Sequence, residues 1–144
     1  MKYKFKFESL KKIKEVFEKK AQKELAAIQL EIKKAEEEYD FLLAKRMAET
    51  KKHLKISSAY DLKFHKNYIA SLNKEMDVIR HKIDHLLNTK ENKILELIEK
   101  SKEHEIINTL DEKHHEQFVH EQNKRDIISM DEIAANRFNS GRKN

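Results

Sequence analysis

Histidine is the residue of this chain with the clearest capacity for chemistry, because imidazole nitrogen is a common zinc ligand. The sequence has eight histidines, and His81 and His85 are four positions apart, a spacing that puts both rings on one face of a helix. Two ligands are too few for a zinc site, and no third residue stands at a completing spacing. We therefore expect surface histidines, with no bound metal and no other cofactor.

A second histidine cluster, HHEQFVH at positions 114–120, resembles the helical zinc-hydrolase motif. That motif needs two histidines four residues apart on one helix face. His115 and His120 are five apart, so their rings would point about 140° away from each other. The acidic run Glu36–Glu38 is typical of a solvated helix face and offers no carboxylate pair held in a cleft. We predict no catalytic residues and a protein that is not an enzyme.

The composition excludes further classes of site. One Gly, no Pro, no Cys and no Trp leave no glycine-rich phosphate loop, thiolate metal site, disulfide or catalytic cysteine. Charged residues make up 40% of the 144 residues and hydrophobic residues 38%, so the chain buries an apolar stripe rather than a deep core. The sequence shows neither a membrane span nor a signal peptide, and we expect a cytoplasmic protein.

Positive charge is concentrated at the start of the chain. The first twenty residues contain eight lysines and three glutamates, which accounts for the whole net charge of +5. The remainder is neutral, so we expect no nucleic-acid surface along the molecule. The opening residues, MKYKFKF, alternate lysine with aromatic side chains, and four interpretations are open. They are a membrane-surface anchor, a nucleic-acid contact, a docking segment for an acidic protein groove, or the aromatic start of the first helix's apolar stripe.

Apolar residues recur at three- and four-residue steps in two long stretches, which predicts amphipathic helices. The first stripe consists of Leu10, Ile13, Phe17, Ala21, Leu25, Ile28, Ile32, Ala35, Tyr39 and Leu42. The second stripe runs from Tyr68 to Phe138 and passes through Leu72, Met76, Ile79, Ile83 and Leu86.

The reversal between the two stripes is predicted at the pair Ser57 and Ser58, where Asp61 completes a Ser-x-x-Asp capping pattern. We expect helix one at about 7–55, a turn at about 56–60, helix two at about 61–138 and a short tail at 139–144. A break at Asn88–Asn92, giving three helices, and a single unbroken rod are the alternatives.

Two apolar stripes in one chain most simply bury each other, which predicts an all-α, antiparallel two-helix coiled-coil hairpin in a single domain. Helix two is the longer helix, and its last two dozen residues should extend beyond helix one. The apolar residues of this overhang should then lack cover from the same chain and mark a partner site. They are Phe118, Ile127, Met130, Ile133, Ala134 and Phe138.

Three stretches together resemble the FliJ family, the coiled-coil component of the flagellar type III export apparatus. They are the aromatic and basic opening Tyr3–Ile13, the alanine-rich segment Ala21–Ala26, and the closing pattern MDEIAANRF at Met130–Phe138. The resemblance implies a non-enzymatic protein that binds the centre of the export ATPase hexamer and promotes its assembly. It also implies a link to the cytoplasmic linker of the export-gate membrane protein, and the family is linked to the escort of export chaperones.

The resemblance carries over to particular residues. Tyr68 and Leu72 match the family's export-gate contact, an aromatic residue followed by a leucine one turn later. We expect the ATPase-ring contacts at the two chain ends: Tyr3, Phe5, Phe7, Lys11, Ile133, Arg137 and Phe138. The protein would be cytoplasmic and would reach the inner membrane only through these partners. A generic tethering protein, as a coiled coil or three-helix bundle, is the alternative function.

Overall fold

The computed structural model describes residues 2–52, 55 and 58–142. It contains two α-helices, α1 over Glu8–Lys52 and α2 over Ala59–Arg142, and no strand in the part of the chain it describes. The prediction of an all-α fold with a longer second helix is confirmed. α1 ends three residues before the expected boundary, whereas α2 continues through 139–142, where a tail was expected. Only Gly141 could weaken the helix there, and one glycine is not enough to end it.

Both alternative chain paths are wrong. α2 is continuous through Asn88–Asn92, so the alternative of a break there, with a third helix after it, is excluded. Asparagine and threonine are only modestly poor helix formers, and the Thr89 hydroxyl donates to the His85 carbonyl oxygen at 3.0 Å, one turn earlier. A single unbroken rod is excluded because α1 and α2 are separate helices that contact each other in antiparallel directions.

A serine cap defines the start of α2. The Asp61 backbone N–H donates to the Ser58 side-chain oxygen at 3.1 Å, which satisfies one of the amides that a helix start leaves without a partner. Asp61 also lies in the first turn, where its negative charge complements the helix dipole. The predicted capping pattern therefore forms at Ser58, whereas Ile56 and Ser57 lie outside the described residues.

The chain forms two compact units, and both helices contribute to each. The central unit is Lys19–Glu99, and the terminal unit contains the chain up to Glu18 together with the chain from Lys100 onwards. In the central unit Glu24 pairs with Lys93 at 3.1 Å, and the Tyr39 hydroxyl accepts a hydrogen bond from Arg80 at 2.7 Å. Residue numbers rise along α1 as they fall along α2, so the helices are antiparallel within this unit.

The apolar core lies in the central unit. Met76 is only 1% exposed and lies in one cluster with buried residues of both helices. Burial of each large aliphatic side chain stabilises the fold by roughly 1.5–3 kcal/mol. The other members of the cluster are Ile32, Ala35, Leu42, Leu72, Ile79 and Leu86.

The terminal unit is held by more polar contacts. Leu10, Ile13 and Phe17 belong to the predicted stripe but remain exposed. Ile107 is buried in this unit, and several ion pairs and hydrogen bonds join its two helices. They include Lys11 with Asp111 at 2.6 Å, Lys14 with Glu103 at 3.1 Å and Glu18 with His104 at 2.7 Å.

Candidate interaction surfaces

The N-terminal segment, residues 2–7, is not helical and packs on α2 within the terminal unit. The Tyr3 hydroxyl donates to Asp111 Oδ1 at 2.6 Å and lies 3.1 Å from the Asp111 backbone oxygen. The Lys11 ammonium group, in the first turn of α1, binds the other carboxylate oxygen of Asp111 at 2.6 Å. One carboxylate therefore anchors both the N-terminal segment and the start of α1 to α2.

The pKa values of these three groups reflect their mutual contacts. Hydrogen bonds from Lys11 and then from Tyr3 hold the pKa of the Asp111 carboxyl below its usual value, because both stabilise the carboxylate. Burial and the hydrogen bond to Asp111 raise the pKa of Tyr3 to about 12. The same carboxylate raises the pKa of the Lys11 ammonium group. Neutral Tyr3, charged Lys11 and charged Asp111 are thus the forms that the structure favours.

Aromatic contacts complete the docking of this segment. The Tyr3 ring meets His115 edge to face at a centroid distance of 4.9 Å and Phe118 at 5.6 Å. Phe5 is 8% exposed and its ring centroid lies 5.7 Å from that of His114. The aromatic opening thus packs within the chain, but as a non-helical segment on α2 and not as the start of the apolar stripe of helix one.

The lysines of the segment, Lys2, Lys4 and Lys6, are exposed, as is Phe7. Of the residues predicted to contact the ATPase ring, Tyr3, Phe5 and Lys11 are thus engaged within the chain. Phe7 is 37% exposed, although its ring also lies 5.8 Å from that of Phe5 and 6.4 Å from that of His114.

The prediction that Phe118 lacks cover from the rest of the chain is wrong. Its ring is partly covered by Tyr3, because the N-terminal segment continues along α2 beyond the start of α1. After Phe118 the same face of α2 becomes polar, with Gln122, Arg125 and Ser129 at successive three- and four-residue steps. The apolar part of this contact face therefore ends at Phe118.

The apolar residues further along α2 occupy the opposite face. Ile127 follows Phe118 by nine residues, about two and a half helical turns, so the two side chains point in opposite directions. We call this exposed face the C-terminal stripe, and it consists of Ile127, Met130, Ala134 and Phe138. It is not an uncovered continuation of the contact with α1, as the sequence suggested, but a separate surface.

The predicted ring contacts at the C-terminal end do not form one surface. Ile133, Arg137 and Phe138 are all exposed on α2. Ile133 and Phe138 are five residues apart and therefore lie about 140° from each other around the helix. Phe138 belongs to the C-terminal stripe, whereas Ile133 does not.

Four of the described histidines, at positions 65, 104, 114 and 115, take part in polar or aromatic contacts. His65 is buried and its Nδ1 lies 3.1 Å from a Glu49 carboxylate oxygen, while His114 and His115 pack on the N-terminal segment. Among the described residues, no three histidine, cysteine, aspartate or glutamate side chains converge as a metal site would require. In the same part of the chain, no helix has an apolar stretch long enough to cross a membrane.

A comparison with models of known protein families shows to which family the chain belongs. The sequence model described as "FliJ: Flagellar FliJ protein" matches residues 3–143, nearly the full length. The chain belongs to the FliJ family. Members of this family are non-catalytic components of the flagellar export apparatus, so the chain is a component of that apparatus. No curated protein and no solved structure matches it.

In this FliJ-family chain the two residues expected at the export gate have different environments. Leu72 is 4% exposed and lies in the core of the central unit. Tyr68, one helical turn earlier, is 36% exposed. Of the two, only Tyr68 offers substantial side-chain surface to a partner, while Leu72 packs the helix that carries it.

Asp111 is the residue of this FliJ-family surface that the sequence interpretation missed. It stands four residues after Ile107 and seven before Phe118, on the face of α2 that contacts the rest of the hairpin. A charged residue at such a position indicates a paired partner, since an unpaired charge facing a contact surface is costly. That signal was present, but the partner Tyr3 lies outside both helical stripes and could not be assigned from periodicity.

Proposed function

We propose that the protein binds the centre of the flagellar export ATPase ring, promotes its assembly and links the ring to the export gate. Membership of the FliJ family supports this proposal at the level of the apparatus. The observation that carries it further is that the N-terminal segment packs on the same helix that continues to the C-terminal end, within one compact unit. That unit combines the exposed lysines of the N-terminal segment with the exposed apolar residues of α2.

The residues of the proposed ring contact have two roles, since some are exposed to the ATPase and others hold the N-terminal segment in place. Phe7, Ile133, Arg137 and Phe138 offer surface directly to the ATPase. Tyr3, Phe5 and Lys11 act by holding the N-terminal segment against α2, which keeps Lys2, Lys4 and Lys6 on the outside. Positive charge at this position attracts an acidic surface over about 8 Å at physiological salt.

The proposed gate contact centres on Tyr68, an aromatic side chain of the type that dominates binding energy at many interfaces. Leu72 supports it from the core. The protein performs no chemistry itself, lies in the cytoplasm and associates with the inner membrane through its partners. Escort of export chaperones belongs to the same proposal.

The ring contact is tested by mixing the full chain with the export ATPase and measuring hexamer formation and ATP hydrolysis. We expect the protein to increase both. Replacing Lys2, Lys4 and Lys6 with Glu should reduce the effect, and truncation after His120 should remove most of it. Replacing the exposed Lys23, Lys33 and Lys34 with Glu is the matched control, because it changes the net charge equally but leaves the terminal unit intact. Equal behaviour of all these proteins would contradict the proposed ring contact.

The gate contact needs its own assay. Tyr68→Ala should weaken binding to the soluble part of the gate protein, measured by calorimetry or surface plasmon resonance. Tyr60→Ala is the matched control, since Tyr60 is exposed and lies about two turns earlier in α2. Unchanged binding by the Tyr68 variant would show that the gate contact lies elsewhere.

A further inference from the structure

The C-terminal stripe has the pattern of a coiled-coil contact surface. Ile127 is 59% exposed and Met130 is 70% exposed, and the steps from Ile127 to Met130, Ala134 and Phe138 are three, four and four residues. Such steps keep apolar side chains on a single face of a helix. An exposed apolar face of this kind indicates an interaction surface. Because the stripe lies opposite Phe118, the rest of the hairpin does not cover it.

The charges beside the stripe are self-complementary. Lys124 precedes Ile127 by three residues and Asp131 follows it by four, so both flank the stripe on the same side. Both are exposed. In an antiparallel helix pair the same flanks of the two helices face each other, which brings Lys124 of one copy opposite Asp131 of the other. Two-fold symmetry then repeats the pair, as an interface between identical surfaces requires.

We propose that the C-terminal stripe is the interface for a second copy of this chain, with the two α2 helices antiparallel. In the register set by Lys124 and Asp131, Ile127 of each copy lies beside Met130 of the other. This inference goes beyond the proposed function and does not rest on it, because it concerns the protein alone.

Charge also selects the antiparallel direction. In a parallel pair, the residue just before an apolar contact residue, here Asp126 before Ile127, faces the residue five positions further along the other helix. Asp126 of one copy would then face Asp131 of the other, and like charges in such positions are destabilising. The antiparallel pair avoids this contact and forms two opposite-charge pairs instead.

The interface leaves the rest of the terminal unit unchanged. The N-terminal segment occupies the face of α2 that contains Asp111 and Phe118, and the second copy would occupy the opposite face further along. The hairpin therefore does not have to open for the dimer to form. The short apolar contact predicts weak, concentration-dependent association.

Sedimentation equilibrium of the full chain, from micromolar to submillimolar concentration, tests the proposal. We expect reversible dimers. Lys124→Glu and Asp131→Lys should each weaken association by about tenfold, since each replaces two opposite-charge pairs by repulsion. The double variant carrying both changes should restore it. Lys82→Glu is the matched control because Lys82 is an exposed lysine of α2 in the central unit, beyond the proposed overlap of the two helices.

Charged substitutions in the stripe itself test whether its apolar side chains form the dimer interface. Ile127→Asp with Met130→Asp should abolish dimers and leave the helical circular dichroism signal unchanged, because both side chains are exposed in the single chain. Loss of helicity at the concentration where the unaltered protein is monomeric would contradict the proposed exposed position of these residues.

Disulfide crosslinking tests the direction, and the chain contains no native cysteine. Under oxidising conditions, a mixture of the Lys124→Cys and Asp131→Cys variants should form a mixed dimer. Each variant alone should crosslink much less, since identical positions are about 10 Å apart along an antiparallel pair. A monomer at all concentrations, failure of the double charge variant to restore dimers, or efficient crosslinking of each cysteine variant alone would overturn the proposal.

Discussion

The Tyr3 hydroxyl lies 2.6 Å from a carboxylate oxygen of Asp111, a residue 108 positions further along the chain. This contact extends the hairpin beyond α1, because a non-helical segment takes over the face of α2 that α1 can no longer reach. It also determines which side chains of the N-terminal segment are hidden and which are offered to a partner.

Asp111→Ala should release the N-terminal segment, since the substitution removes the acceptor for both Tyr3 and Lys11. We expect faster amide hydrogen exchange in residues 2–7 and at the start of α1, measured by mass spectrometry. Glu103→Ala is the matched control because it removes the ion pair with Lys14 but no contact of the N-terminal segment. Equal exchange in residues 2–7 of both variants would show that Asp111 does not anchor this segment.

The phenol of Tyr3 should ionise at a higher pH than an ordinary tyrosine, because its pKa is raised to about 12. A raised pKa in the folded state stabilises the fold fully below the unfolded value of about 10, and this contribution is lost as pH rises through the folded value. Ultraviolet titration curves of the unaltered protein and of Tyr3→Phe differ by the ionisation of Tyr3, and this difference should have its midpoint near pH 12. A midpoint near pH 10, the value of an ordinary tyrosine, would indicate that Tyr3 is not docked on Asp111.

Leu72→Ala should lower the free energy of unfolding by about 3 kcal/mol, because it leaves a cavity in the core of the central unit. Tyr68→Ala should cost about 1 kcal/mol or less, since this side chain is partly exposed. Urea denaturation followed by circular dichroism measures both. Similar losses would mean that Tyr68 is a core residue and not a surface available to the gate.

Ser58→Ala should destabilise the start of α2 by about 1 kcal/mol through loss of the hydrogen bond from the Asp61 amide. Ser71→Ala provides the comparison, because Ser71 is an exposed serine inside the same helix, where alanine is the better helix former. Thermal unfolding of the two variants should therefore shift in opposite directions. A Ser58 variant as stable as the unaltered protein would rule out the cap.

Higher salt should increase amide exchange around Leu10–Phe17 more than around Leu72–Leu86. The first region contains partly exposed ion pairs to α2, Lys11 with Asp111 and Lys14 with Glu103, which salt screens. The second lies in the apolar core, which salt does not weaken in this way. Hydrogen exchange measured at low and at high sodium chloride makes this comparison. An equal change in exchange rate in both regions would contradict the proposed difference between the terminal and the central unit.

Periodicity predicted the two helices and their order because apolar spacing is a local property of the sequence. Ser58 could be identified as a cap for the same reason, since its partner is only three residues away. The break at Asn88–Asn92 was an incorrect alternative because polar residues weaken a helix far less than glycine or proline would. Family resemblance supplied Tyr68 and Leu72, but spacing alone could not tell which of them is buried.

The sequence by itself determined that this chain is all-α, forms two amphipathic helices of unequal length and carries its excess positive charge at the beginning. These properties depend on residue type and on spacing within a few turns. Only the tertiary structure decided that Tyr3 is anchored by Asp111 and that Phe118 is partly covered, and therefore which face of α2 remains open at Ile127. Such relationships depend on which face of α2 the first residues meet, and that choice is made by packing and charge pairing between segments far apart in the chain.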